Sequence, residues 1–190
     1  RSTLFPYTTL FRSEFLENSY YYIFNTSFTE DQLFHNDDEY KKFYELLLKY
    51  LAIYTNVKLV SYSFVPHHFH IVLKNIENGH NISEFMRKLQ VSYATWYRKK
   101  YPSEFKHPVF LWRFQAHLLE SKETLYKTLS YVNYNPLNYS PESDIKDIQF
   151  TSYHKLTQNH SQPYLEEVLL NYPELESKLK KKKDPLKWTL

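Results

Sequence analysis

Two short apolar runs, Val57–Phe64 and Phe69–Lys74, are separated only by a turn marked by Val65-Pro66. A connection that short pairs its two strands as antiparallel neighbours. The rest of the chain alternates around them. Tyr20–Asn25 ("YYYIFN") is aromatic and β-branched and reads as a strand. A helix capped by Asp37 or Asp38 runs to about Tyr54, with Tyr40, Phe43, Leu47, Leu51 and Tyr54 at helical spacing. Asn81 or Ser83 opens a second helix to about Tyr101, with Ile82, Phe85, Leu89, Tyr93 and Trp96 inward. Val109–Leu119 alternates, placing Trp112, Phe114, Ala116 and Leu118 on one side and Arg113, Gln115 and His117 on the other. Ser121 caps a third helix, which Pro136 ends. The order β-α-β-β-α-β-α predicts an α+β, ferredoxin-like (split βαβ) antiparallel sheet with helices packed on one face.

At 190 residues and 42% hydrophobic content the chain suits one domain with a buried core. With one Gly (Gly79) and 19 Tyr, its bias is that of an AT-rich coding sequence, so tyrosine abundance alone is no argument for base stacking. The net charge of +3 is compatible with a polyanionic partner without requiring one. With no Cys, disulfides and thiolate metal sites are excluded, and any metal must sit on His, carboxylate or amide ligands. No apolar run approaches the ~18 residues of a membrane span, so a cytoplasmic location and no membrane partner are expected. Arg1–Ser13 ("RSTLFPYTTLFRS") resembles a translated sequencing-library adapter and is set apart from functional reasoning. A catalytic domain is expected over 14–156. A basic helical tail is expected over 157–190, with a helix from Tyr164 to about Lys183; its end, "KLKKKKDPLKW", is either a backbone-grabbing arm with Trp188 as a stacking residue or a frayed helix end.

The stretch "FVPHHFHIVL" holds three histidines in four residues. Alternate side chains of a strand share a face, so His68 and His70 point the same way, roughly 6.5–7 Å apart, while Phe69 and Ile71 point into the core. Two imidazoles so placed can share a metal ion; equally, they can be hydrogen-bonded side chains on a solvated sheet face. His67 falls on the opposite pleat or in the turn. On the third helix, Leu125, Leu129 and Val132 form a core stripe. Thr124, Thr128, Tyr131 and Asn135 share an adjacent stripe, with Tyr131 and Asn135 one turn apart. A helix lying beside the face of His68 and His70 would bring a phenol, an amide and two imidazoles together.

"VPHHFHIVL", "EFMRKLQVSYATWYRKKY", "VFLWRFQAHLLES" and "LSYVNYNPL" occur in an order similar to that of the HUH single-strand DNA transposases. The resemblance, over roughly Tyr20 to Leu156, is to the REP-associated tyrosine (IS200-like) branch. It implies that Tyr131 is a nucleophile forming a 5′-phosphotyrosine, and that His68, His70 and Asn135 hold a divalent metal, Mg²⁺ or Mn²⁺. It further implies single-stranded or hairpin-bearing DNA as partner, and a monomer or homodimer. His67 stands where Asn is usual, Asn25-Thr26-Ser27 where Asn-Arg-Gly is typical, and Leu111-Trp112 where Gln-Gly is typical.

Arg113 and Gln115 are candidate DNA contacts, and His117 is an alternative metal ligand. Arg87, Lys88, Arg98 and Lys99 on the second helix can track a DNA backbone, although a charge run is as readily a solvated face. Besides the endonuclease and strand transferase, two other readings remain. One is a non-catalytic single-stranded DNA- or RNA-binding module derived from such a transposase; the other is a structural or toxin-like protein with incidental histidines.

Overall fold

The computed structural model describes residues 15–28, 32–102, 107–140, 143 and 148–153. The adapter-like segment, the basic tail, His154 and His160 lie outside the described residues. The elements are β1 (Ser19–Thr26), α1 (Asp37–Ile53), β2 (Val57–Val65), β3 (His68–Asn75), α2 (Asn81–Lys100), β4 (Gln115–Leu118) and α3 (Lys122–Tyr134). A 3-10 turn, Asn135–Asn138, follows α3 directly.

The strands form one sheet in the order β2-β3-β1-β4, each paired antiparallel to its neighbour. α1 therefore carries the chain across β3, and α2 carries it across β1. This is the expected ferredoxin-like topology. Both crossover helices pack on the same face. Phe43 and Leu47 of α1 and Phe85, Met86, Leu89 and Tyr93 of α2 bury against Ile23, Phe64, Phe69, Ile71 and Leu73. α3 does not join this layer. Its Leu125, Leu129 and Val132 meet Tyr22, Val60 and Val72 on the opposite face.

Local chemistry sets the helix starts. Asp37, Asp38 and Glu39 occupy the first turn of α1, where carboxylates complement the helix dipole. The N-cap is Asn36, one residue before the expected Asp. The Glu39 carboxylate accepts from the backbone N–H of His35 and, at 3.2 Å, from the Asn36 side-chain amide, which ties the chain before the helix to its first turn. Ser121 caps α3 as expected, its Oγ accepting from the Thr124 N–H at 3.1 Å.

Two features depart from the alternation read in the sequence. First, β2 carries a bulge, because the register shifts between Leu59 and Ser61. As a result Val60 and Ser61, though consecutive, both face α3: Val60 packs in its cluster and Ser61 bonds its Asn133. Second, the strand expected over 109–119 is regular only from Gln115. Upstream, Phe110 bridges Ser27, Leu111 donates to the Thr26 carbonyl, and the Asn25 amide donates to the Trp112 carbonyl at 2.9 Å. The chain between bends off the sheet, and Trp112, expected on one side of the strand with Phe114, is 72% exposed.

The outer edge of β2 is covered. Ser152 donates its N–H to the Tyr62 carbonyl, Phe64 donates to the Phe150 carbonyl, and Ser63 bridges Thr151. A buried network ties this segment to α3. Asn133 Nδ2 donates to Ser61 Oγ at 3.1 Å, Ser152 Oγ donates to Asn133 Oδ1 at 2.8 Å, and the two serine hydroxyls are 2.7 Å apart.

Candidate active site

β3 alternates as expected. Phe69 and Ile71 are fully buried under α1 and α2, so His68 and His70 face α3. Their rings lie 4.6 Å apart, nearly perpendicular. His67 sits in the turn and offers its carbonyl to the Ser27 N–H and the Thr26 hydroxyl.

Cross-strand pairing shows what surrounds the rings. In an antiparallel sheet directly opposite residues share a face. Gln115, Phe24, His70 and Ser63 therefore form one row across β4, β1, β3 and β2. The next row is His117, Tyr22, Val72 and Ser61.

α3 supplies the remaining groups. Pro136 lacks an N–H and cannot continue the α-helical ladder, so the chain tightens into the 3-10 turn. Asn135 opens that turn with its N–H still bonded to the Tyr131 carbonyl, which keeps the two side chains on one side. The Tyr131 ring meets His70 edge-on at 5.2 Å. The Asn135 carboxamide faces both imidazoles, and Tyr131 as well. Tyr139, just past the turn, sets its hydroxyl 3.5 Å from both nitrogens of His68.

Burial pushes the His68 imidazole down to about 4, reinforced by His67 and opposed by the Asn135 side chain. Burial likewise drives His70 well below the ordinary imidazole range, with His68 adding to the effect. Both rings are thus neutral near neutral pH, the form that binds metal ions. The Tyr131 phenol is raised by burial and by Tyr139, while hydrogen bonds from Tyr22 and Asn135 act to lower it.

Three buried polar atoms in this region lack a well-formed hydrogen bond: His70 Nε2, Asn135 Oδ1 and Ser63 Oγ. Such atoms are costly to leave unpaired. Two are lone-pair donors of the kind a divalent cation takes. Among the described residues no group of three or more His, Cys, Asp or Glu is placed to hold a metal ion. The His68, His70 and Asn135 donors instead combine two imidazoles with one amide oxygen, a set that fits such an ion.

Other sequence candidates lie apart. The His117 ring stacks on Phe24 at 5.7 Å and on Tyr22 at 6.3 Å, with β1 between it and His70. Gln115 is exposed on the same row as His70, with Phe24 between them. Arg113 is exposed where the chain bends off the sheet. Arg87, Lys88, Arg98 and Lys99 are exposed on α2, across the sheet from the histidines, and Arg87 pairs with Glu84 at 2.7 Å. Sequence reasoning missed Tyr22, Ser63 and Tyr139. Tyr139 lies four residues past Asn135, a spacing that offered a signal for it.

The sequence matches the family described as Transposase IS200 like over residues 16–135, which includes the strand of His68 and His70 and ends at Asn135. The chain belongs to the IS200-like transposase family. A REP-associated tyrosine transposase, solved bound to a REP hairpin, superposes on this IS200-like transposase with a TM-score of 0.64 at 15% identity. That match covers 82% of this chain and 88% of the other. A putative transposase from Deinococcus radiodurans R1 is also similar, with a TM-score of 0.44 and 14% identity over 68% of this chain and 95% of that one. No curated protein matches the sequence. Among the described residues of this transposase no helix is long and apolar enough to cross a membrane.

Proposed function

We propose that this transposase is a metal-dependent single-stranded DNA endonuclease and strand transferase with Tyr131 as its nucleophile. The observation carrying this reading is the meeting of the Tyr131 phenol with His68, His70 and Asn135 around two unpaired buried atoms, His70 Nε2 and Asn135 Oδ1. The hairpin bound by the structurally similar REP-associated transposase supports hairpin-bearing DNA as substrate.

The chemistry is a transesterification. Tyr131 Oη attacks the scissile phosphorus, forming a P–O bond and giving up its proton to solvent. The bond to the 3′-oxygen breaks, and that oxygen keeps the electron pair, takes a proton from solvent and leaves as a 3′-hydroxyl. The 5′-phosphotyrosine preserves the phosphodiester, so a 3′-hydroxyl can attack it and rejoin the strand without an external energy source. His68, His70 and Asn135 would hold the divalent ion, Mg²⁺ or Mn²⁺. When bound, the ion polarises the phosphate and offsets the charge that develops there. A free phenol titrates near 10 and burial raises this one further, so the donors at Tyr22 and Asn135 matter to Tyr131.

The test is a denaturing gel with labelled hairpins from DNA flanking the gene and Mg²⁺ or Mn²⁺. A metal-dependent adduct that survives SDS, is lost in Tyr131→Phe and persists in Tyr139→Phe is expected. An adduct lost in Tyr139→Phe instead moves the nucleophile to Tyr139. Hairpin binding without any adduct establishes the non-catalytic module.

A further inference from the structure

Tyr22 sits at the centre of the site and figures in the chemistry above only as a donor to Tyr131. It lies on β1 in the row next to His70, with 8% of its surface exposed. Its ring stacks on Phe24 at 5.2 Å and runs parallel to the His70 imidazole at 5.7 Å. Tyr131 meets it edge-on at 6.3 Å. Packing of this kind asks only for an aromatic ring, and phenylalanine would serve. The hydroxyl is the specific feature. It lies 2.6 Å from His70 Nδ1 and is also hydrogen-bonded to the Tyr131 side chain.

A tyrosine hydroxyl has one proton, so its two partners are not independent. A neutral imidazole likewise carries one proton, on Nδ1 or on Nε2. If it sits on Nε2, that N–H faces the Asn135 carboxamide without a well-formed hydrogen bond and covers the lone pair a cation would take. If it sits on Nδ1, that N–H donates to Tyr22 Oη, and Nε2 presents a bare lone pair. Only this second form can be completed by a cation. Tyr22 is then an acceptor towards His70, and its own proton is committed to the Tyr131 oxygen.

We propose that Tyr22 is a positioning residue that joins the two halves of the site: its hydroxyl fixes His70 with Nε2 free for a metal ion and holds the Tyr131 oxygen in place. The proposal deepens the reading of Tyr131 and the His pair given above and rests on it. A metal-binding histidine commonly has its other nitrogen held in this way, and losing the partner weakens metal affinity roughly 10–100-fold. Here the partner also touches the nucleophile.

The experiment compares wild type, Tyr22→Phe and Tyr21→Phe as full chains. Tyr21 is the control: it lies on the same strand with its ring on the opposite face, and its hydroxyl accepts from the Leu16 N–H at 2.8 Å. Nitrogen-15 NMR of the histidines in metal-free protein should show His70 as the Nδ1–H tautomer in wild type and Tyr21→Phe. In Tyr22→Phe it should be a mixture or the other tautomer. Mn²⁺ binding, read by electron paramagnetic resonance without DNA, should weaken roughly 10–100-fold in Tyr22→Phe alone. At saturating Mn²⁺ adduct formation should remain slower than in wild type, because aiming of Tyr131 is lost separately. An unchanged His70 tautomer with Mn²⁺ affinity within twofold of wild type overturns the proposal. The two readings fail separately. Wild type that forms no adduct sinks the endonuclease, while the tautomer result still decides the role of Tyr22.

Discussion

The two faces of the sheet are built from the same four strands and do different work. Beneath α1 and α2 the sheet is lined by rings at contact distance: Phe43 has Phe34, Phe64, Phe69 and Tyr93 within 5.0–5.3 Å. The buried charge on that side, Glu39, is fully satisfied. Burial alone would raise its carboxyl, yet Tyr101, the His35 backbone and Lys100 hold it below the usual range. On the α3 side the apolar cluster is small and gives way to Ser63, His68, His70, Tyr131 and Asn135. Three unpaired atoms gather there, whereas the others among the described residues, Asn75 Oδ1 and Gln90 Nε2, stand singly. One face maximises apolar burial. The other leaves polar groups unsatisfied at a cost in stability, as a site awaiting a ligand does.

The largest expected effects come from striking each face at equal depth. Phe43 and His70 are 0% and 4% exposed. Phe43→Ala should lower the unfolding free energy by about 3–5 kcal/mol, seen as a lower urea midpoint. His70→Leu removes an unpaired nitrogen but takes from the Tyr22 hydroxyl one of its two partners, so stability should stay within about 1.5 kcal/mol of wild type. The same change should abolish the metal-dependent adduct. Were His70→Leu to unfold the protein as Phe43→Ala does, the division between the faces would be wrong.

A smaller break is expected at the joint between α3 and β2. Asn133 is fully buried, bonded through its amide to Ser61 and to the Leu129 carbonyl, and through Oδ1 to Ser152. Asn133→Ala should cost about 1–3 kcal/mol, because it leaves buried hydroxyls short of partners. Urea unfolding reads the loss, and the adduct rate should fall with it as α3 loosens. An unchanged midpoint would mean that α3 is held by its apolar stripe alone.

This joint also marks where sequence reasoning stopped. The helices of the first face were legible because Phe43, Leu47, Phe85, Leu89 and Tyr93 recur at helical spacing, and a core needs only that period. His68 and His70 were legible for the same reason, since period 2 sets their face. Tyr22 was hidden because "YYYIF" is apolar on both pleats, so alternation carries no contrast. Asn133 was hidden because its partner Ser61 lies 72 residues before it and its partner Ser152 lies 19 after it, the two serines being 91 apart. The alternation expected over Val109–Leu119 failed at its start because the period holds only where the ladder does, and the ladder begins at Gln115.

Acid should separate the faces as well. An unfolded imidazole takes its proton near 6.5, whereas buried His68 waits until about 4 and burial holds His70 well below the ordinary range. Between those values the unfolded chain binds more protons than the folded one, so stability is lost as pH falls through that window. The groups facing the two rings are His67, Tyr22, Tyr131, Tyr139 and the Asn135 amide. From pH 7.5 to 6, metal-free protein should lose up to about 1 kcal/mol per imidazole. His68→Gln should flatten the curve, read by urea unfolding at each pH.

The smallest effect concerns the cations of α2, which the fold puts across the sheet from the histidines. Arg87 is exposed and paired with Glu84, so Arg87→Ala should change stability by no more than about 0.5 kcal/mol. Each phosphate contact contributes about 0.7 to the dependence of log affinity on log salt for a single strand, and about 0.9 for duplex. If DNA is confined to the α3 face and the adjoining end of β4, replacing Arg87, Lys88, Arg98 and Lys99 together by Gln should alter that slope by less than one contact. Arg113→Gln, on the segment leading into β4, should remove about one contact by itself. A drop of three or four contacts in the fourfold variant would show the backbone wrapping around the sheet edge onto α2. The face that looks purely structural would then share in substrate binding.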